Sequence, residues 1–377
     1  MQITTVRQQI LNFGHVLQGS LFPILEEETG VLGPKAKLLV QVLAMAPFNG
    51  WLSLHHGPGR PPRDRGALAA AFIAKAVYNF PNTRHLIDQL RTNGQLRKLC
   101  GWSHARQLPH ESTFSRTFAE FAGNELPQRL HEAVIQATQK DRLIGHISRD
   151  STAIVGRERF PEPPPEPRKK KRGPKPKRAK ANERGTLIER QRHMSLAQMT
   201  NSLSRQCAIG VKRSGEGVQY WRGFKLHTDV ADGQIPISAI LTGANVSDVN
   251  VAIPLMTMTE QRVTSLYDVM DSAYDADAVL EHVRSLGHVP IVKPHPRRNG
   301  RSRSELPKIF PGKKAPEMTW AEQARFQERT TVERVYARLK DEFGGRNVRV
   351  RGAAKVMAHL MFGILALTVD QVLKLPG

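Results

Sequence analysis

The sequence predicts an α/β protein, a mixed sheet layered with helices and preceded by a mainly helical region. Three observations carry this expectation. Residues 1 to about 140 hold apolar runs of helical length and spacing. From about 143 the pattern changes to short alternating or apolar runs separated by turn residues. Single helical stretches then lie between the strand runs, and two more close the chain, which suits a layered mixed sheet.

In the first region, Leu38 to Met45 and Ala67 to Tyr78 are apolar runs of helical length, and Leu86 to Leu99 repeats apolar residues at helical spacing. Between the first two runs lies Gly57-Pro58-Gly59-Arg60-Pro61-Pro62-Arg63, a rigid basic connector. Ser112, after Pro109, is a candidate N-cap for a short helix that offers Thr113, Ser115, Arg116 and Thr117 to DNA. A helix-turn-helix near 105–120 fits this pattern, as does any capped short helix.

The first strand runs from Leu143 to Ile154 around Asp150. Tyr220 to Val230, the turn Ala231-Asp232-Gly233-Gln234 and Ile235 to Leu241 read as a hairpin. Asp248 or Asn250 opens a helix through Met258. Val263 to Met270 is a strand, Ala276 to Leu286 a helix, and Val289 to Val292 a strand ended by Lys293-Pro294. A charged loop covers about 295–323, and the closing helices are Arg329 to Phe343 and Ala353 to Leu373.

An insertion at about 157–205 interrupts this order. Pro161 to Pro167 is a stiff polyproline spacer, and Arg168 to Lys180 carries nine Lys or Arg in thirteen positions with no acid. Such a segment has nothing with which to build a core, and disorder in isolation is expected. Arg168, Lys169, Lys170, Lys171, Arg172, Lys175, Lys177 and Arg178 are therefore candidate phosphate contacts. Arg172-Gly173-Pro174-Lys175-Pro176-Lys177 resembles a minor-groove hook.

Composition limits the function. A net charge of +22 and a pI near 10.4 favour a polyanionic partner, and nucleic acid is the commonest. No lysine-rich amphipathic helix with an aromatic face argues for a membrane, and no signal-peptide core is expected at the N-terminus. Two cysteines form neither a disulfide framework nor a zinc knuckle, and the fourteen histidines lack metal-ligand spacing.

The chemistry gathers on carboxylates. Asp150 stands in an apolar strand, where a charge needs a cation or a metal. Asp271 ends the strand before Ser272-Ala273-Tyr274, where it is also a candidate N-cap. Asp268 is its rival, but strand alternation and the sharp turn favour Asp271. Glu333 arrives on the closing helix, with Arg329 four residues before and Lys340 seven after on one face, and with Val332, Val335, Leu339 and Phe343 as the apolar stripe. Thr330 or Thr331 is the expected cap and Gly344-Gly345 the stop. Three acids without His or Cys suit a hard cation, Mg2+ or Mn2+, and two such ions suit phosphoryl displacement. On the other reading, Arg329 and Glu333 form an ordinary surface ion pair.

These residues resemble a family. Phe326-x-x-Arg329-x-x-x-Glu333-x-x-x-x-x-x-Lys340 matches, in spacing, the Tyr-Arg-Glu-Lys motif of DDE transposases from the fourth and fifth groups of bacterial insertion sequences. Arg149-Asp150-Ser151-Thr152, Gly223-Phe224-Lys225-Leu226-His227, Leu241-Thr242-Gly243-Ala244-Asn245 and Met270-Asp271-Ser272-Ala273-Tyr274 look like that family in its order. Gly59-Arg60-Pro61-Pro62 resembles the start of its helical N-terminal domain.

The resemblance implies an RNase H-like catalytic domain over 141–377 behind a DNA-end-binding domain over 1–140. Asp150, Asp271 and Glu333 would be the metal-binding triad, with Arg329 and Lys340 on DNA. It further implies two Mg2+ or Mn2+ ions, cleavage and strand transfer at terminal inverted repeats, a homodimer on DNA, and a bacterial cytoplasmic, nucleoid-associated setting. Phe326 departs from the motif, because it lacks the tyrosine hydroxyl that would meet a phosphate. A helix-turn-helix regulator with structural acids, a metal-dependent nuclease without strand transfer, and an RNA-binding protein are the competing classes. The last lacks aromatic stacking motifs.

Overall fold

The computed structural model describes residues 16–48, 63–158, 186–214, 217–293, 308–310, 313–314 and 318–375. The helical region contains α1 (Phe22–Thr29), α2 (Pro34–Met45), α3 (Arg65–Val77), α4 (Thr83–Thr92), α5 (Gly94–Leu99), α6 (Glu111–Gly123) and α7 (Leu126–Gln139). Asp64 caps α3 by accepting from the N–H groups of Gly66 and Ala67 at 2.8 and 3.1 Å. The run expected as one helix over Leu86 to Leu99 is two. Asn93 leaves the helical conformation, and its side chain accepts from Leu96 N–H at 3.0 Å to cap α5.

The sheet contains β1 (Leu143–Val155), β2 (Ala208–Ser214), β3 (Gly217–Ala231), β4 (Ile235–Gly243), β5 (Thr264–Met270) and β6 (Val289–Val292). β1 pairs antiparallel with β3 and parallel with β5. β3 pairs antiparallel with β4, and β5 parallel with β6. β2 takes the first half of β3, where Ala208 faces Gly223, and β4 takes the second half. Gly223 is required by close approach, since a Cβ there would lie 2.0 Å from the Ile154 carbonyl oxygen.

Two short helices, α8 (Leu187–Gln191) and α9 (Leu196–Ser202), precede β2. The longer α10 (Val249–Glu260) and α11 (Asp277–Ser285) follow β4 and β5. The end of the insertion expected to be disordered over 157–205 is therefore helical from 187, because Met199 and Leu203 are buried in the core beside α10. In the stretch expected as a charged loop, 308–310 pairs antiparallel with 313–314, and α12 (Trp320–Phe326) starts inside its C-terminal end. α13 (Thr330–Asp341) and α14 (Ala353–Val372) close the chain. This mixed α/β architecture is RNase H-like, with antiparallel β1, β3 and β4 on one side and parallel β5 and β6 on the other.

α14 organises the core. It packs against α2, α3, α6 and α7 as well as β4, so the helical region and the sheet share one apolar interior. Phe362 lies 6.0 Å from Phe72 and 6.3 Å from Phe118, ring centre to ring centre, while Phe72 and Phe118 are 4.9 Å apart. α14 is long and apolar enough to cross a membrane, but most of it is buried inside the protein. Gly363 lets α13 and α14 touch, since a Cβ there would stand 2.5 Å from the Phe343 carbonyl oxygen.

Candidate active site

β1 and β5 run parallel with Arg149 paired to Met270, so Asp150 and Asp271 leave neighbouring strands side by side. β5 ends at Met270, and Asp271 caps the single 3-10 turn Ser272–Tyr274 by accepting from Ala273 N–H at 2.9 Å. Burial pushes the Asp150 carboxyl up to about 6; the Asp271 carboxylate adds to this, while the Ser151 N–H at 2.7 Å and Arg329 oppose it. Asp268, the rival acid, is buried and paired with Arg149 and His288 at 2.9 and 2.8 Å.

α13 delivers the third acid. Val332, Val335, Leu339 and Phe343 are buried as the stripe predicts, together with Tyr336. Neither Thr330 nor Thr331 caps the helix, because no free start exists. α12 runs on through a 3-10 turn at Gln327–Arg329, and Thr330 donates back to the Gln327 carbonyl instead. Gly344, with φ 85°, ends the helix as expected. Two bonds fix it over β1: Ser148 Oγ to the Glu328 carbonyl at 2.7 Å, and Tyr336 Oη to the carbonyl of Asp150 at 2.6 Å.

Arg329 bridges the site. One guanidinium nitrogen lies 2.6 Å from Glu333 and another 3.7 Å from Asp150. The ion pair with Glu333 is real, but its second carboxylate makes it more than a surface pair. Lys340 donates to Thr152 Oγ1 on β1 at 2.6 Å, and partial burial, with Arg346 and Lys212 nearby, lowers its pKa. Phe326 packs against the apolar cluster of Val269, Ile291 and Met318, which a phenyl ring suits without a hydroxyl.

Two groups beside these three acids were not anticipated. Beneath Asp150, Arg149 is fully buried and spans Asp229 at 2.7 Å and Asp268 at 2.9 Å. Thr259 donates to Asp229 at 2.7 Å, and His288 reaches Glu260 at 3.1 Å. Beside Asp150, the Asp248 carboxylate accepts from Ser151 Oγ and Lys225 Nζ, both at 3.0 Å. Asp248 is the N-cap residue of α10, one of the two expected openers, but its side chain makes no cap bond and one carboxylate oxygen instead takes those two donors. The signal for both groups was present, as Lys225 lies in a motif segment and Arg149 is a cation in an apolar strand.

Among the described residues no three acids converge tightly enough to form a metal cluster as they stand. The donor chemistry nevertheless fits a hard divalent cation, with oxygen ligands only and Asp150 disfavoured as a lone anion beside Asp271.

In the N-terminal region, α6 starts at Glu111 rather than after Ser112. His110 is its cap, accepting from Ser112 N–H at 3.2 Å through a ring nitrogen. Ser115 and Arg116 are exposed, but Thr117 is buried against the core and unavailable to DNA. The basic connector before Arg63 and the basic arm, with Arg168, Lys169, Lys170, Lys171, Arg172, Lys175, Lys177 and Arg178, lie outside the described residues.

Residues 186–369 match the family model described as "Transposase DDE domain", and residues 33–120 match "Transposase domain (DUF772)". No curated protein matches the chain. β1, with Asp150, falls between the two matched stretches, so its place in the site rests on the sheet register and on the bond from Tyr336.

Proposed function

Because the chain belongs to the DDE transposases of insertion sequences, enzymes that cut and rejoin DNA with divalent metal ions, we propose that Asp150, Asp271 and Glu333 are its metal-binding carboxylates. The observation that carries this reading is the parallel register that sets Asp150 beside Asp271, with α13 tied to the Asp150 backbone by the Tyr336 hydroxyl. Two Mg2+ or Mn2+ ions held there would activate the attacking oxygen and stabilise the leaving one. Arg329 holds Asp150 and Glu333 in place, and on releasing Glu333 its guanidinium is free for a phosphate. Terminal inverted repeats and target DNA are the substrates, a homodimer on DNA the working form, and the bacterial nucleoid the setting.

The test is cleavage of a labelled duplex carrying the element's end by the purified protein. Cleavage that requires Mg2+ or Mn2+, followed by joining to a second duplex, is expected. Binding without cleavage would leave a helix-turn-helix regulator, and cleavage without joining a nuclease.

Arg329→Ala and Lys340→Ala should each lower cleavage of the end duplex by roughly tenfold or more, against a smaller loss of binding to a scrambled duplex. Lys340 lies two turns beyond Glu333, roughly 10 Å along the axis, so it meets a different phosphate from Arg329. Equal losses on both duplexes would reduce the pair to general electrostatics.

Deleting Arg168 to Lys180 should lower the slope of log affinity against log salt by several units, because each phosphate contact releases counterions. Thermal stability should be unchanged. A preserved slope would make the segment a spacer.

A further inference from the structure

A second, cationic site lies away from the carboxylates. A cavity of about 460 Å³ opens where α3, α4 and α6 meet the end of β1 and the segment before α14. Lys75, near the C-terminal end of α3, is 8% exposed and lines this cavity. Its ammonium has no hydrogen bond or ion pair among the described residues, and burial lowers its pKa to about 8. Such a charge is costly unless a partner arrives.

The surroundings say what partner fits. Arg157 and Arg349 line the same cavity, as does Arg84, whose charge is partly met by Glu111 at 3.5 Å. The start of α4 also faces it. Asn82 caps His85 N–H at 2.9 Å, and the first helical N–H groups before it have no acceptor within the helix. A half-open cavity with a buried lysine, arginines and a ten-residue helix N-terminus is built for an oxyanion with several acceptor oxygens.

We infer that this cavity seats a backbone phosphate of the DNA bound across the enzyme, so that Lys75 acts as a positioning residue for the duplex. The inference rests on the reading of the chain as a transposase. Arg157 follows Asp150 by seven residues, two past the end of β1 at Val155, so the cavity and the acids lie toward one end of the same strand. Contact there would engage the helical region and the catalytic sheet at once, since their elements both line the cavity.

The test compares full-length wild type with Lys75→Met and, on the rim, Arg157→Gln. Each is titrated with an arbitrary-sequence duplex long enough to span both sites, from low to physiological salt. Both variants should lose roughly tenfold in affinity and about one unit of salt slope. Lys75→Met should melt at or above the wild-type temperature, because it removes an unpaired buried charge. An unchanged slope in either variant overturns the inference, whatever its melting temperature. So does stabilisation of wild type but not Lys75→Met by inorganic phosphate with DNA affinity unaltered, which would mark a free-phosphate site. Wild type that fails to bind the duplex at all would instead sink the transposase reading beneath it.

Discussion

Asp150→Asn, Asp271→Asn and Glu333→Gln should each reduce end cleavage and strand transfer by roughly a hundredfold to a thousandfold, with duplex binding changed only severalfold. Each substitution keeps the shape of the side chain and removes the negative charge that would hold a divalent ion. A misplaced ion no longer stabilises the charge that develops in the transition state, an effect of about 3–4 kcal/mol per preorganised group. DNA affinity comes mainly from the basic field, which the variants leave intact or strengthen slightly. A second readout separates ligand loss from damage elsewhere. Mg2+ or Ca2+ should raise the melting temperature of the wild type and do so less in each variant. Near-normal cleavage by any one variant would remove that residue from the triad. Asp268→Asn should lose stability rather than act as a pure catalytic defect, because its carboxylate is committed to Arg149 and His288.

The sequence carried the outline of this site because its elements are strongly patterned. Alternation placed β1, the β3–β4 hairpin and β5, and the apolar stripe of α13 fixed which way Glu333 faces. What it could not carry were choices between competing partners for one side chain. Asp248 looks like a helix cap until Lys225 and Ser151, far away in sequence, take its carboxylate. Thr330 and Thr331 look like caps until α12 is seen to run into α13 through a 3-10 turn. Thr117 looks available until the α6 face carrying Phe114, Thr117, Phe118 and Phe121 turns inward. Lys75 sits in an alanine-rich helix and gave no local hint of a cavity, since the cavity's other walls come from residues 157 and 349.

Arg149→Met should cost about 3–5 kcal/mol of unfolding free energy, measured by denaturant titration, and it should do so without touching DNA. Arg149 joins β1 to Asp229 on β3 and Asp268 on β5, three adjacent strands, with all three side chains essentially out of solvent. Removing the cation strands two buried carboxylates, and breaking a buried pair costs far more than the pair contributes over an apolar replacement. Arg149→Lys keeps the charge but not the fork that spans both acids, and an intermediate loss is expected. The pH dependence has a definite sign. Burial alone would raise the Asp268 pKa, but Arg149 and His288 hold it below the usual carboxylate range. Its contribution is therefore present above the unfolded-state pKa and is lost as pH falls through the folded one. In Arg149→Met the Arg149 share of that depression is removed and burial pushes the carboxyl up, so this acid-induced loss should shrink and the deficit against wild type should narrow as pH falls. Because Arg149 precedes Asp150 on the same strand, loosening this network should also blur the register that sets Asp150 beside Asp271. Cleavage by the folded fraction of Arg149→Met should then fall, while its salt slope on DNA stays wild type. Stability within about 1 kcal/mol of wild type would mean that Asp229 and Asp268 do not depend on the guanidinium, and the network would lose its role in placing Asp150.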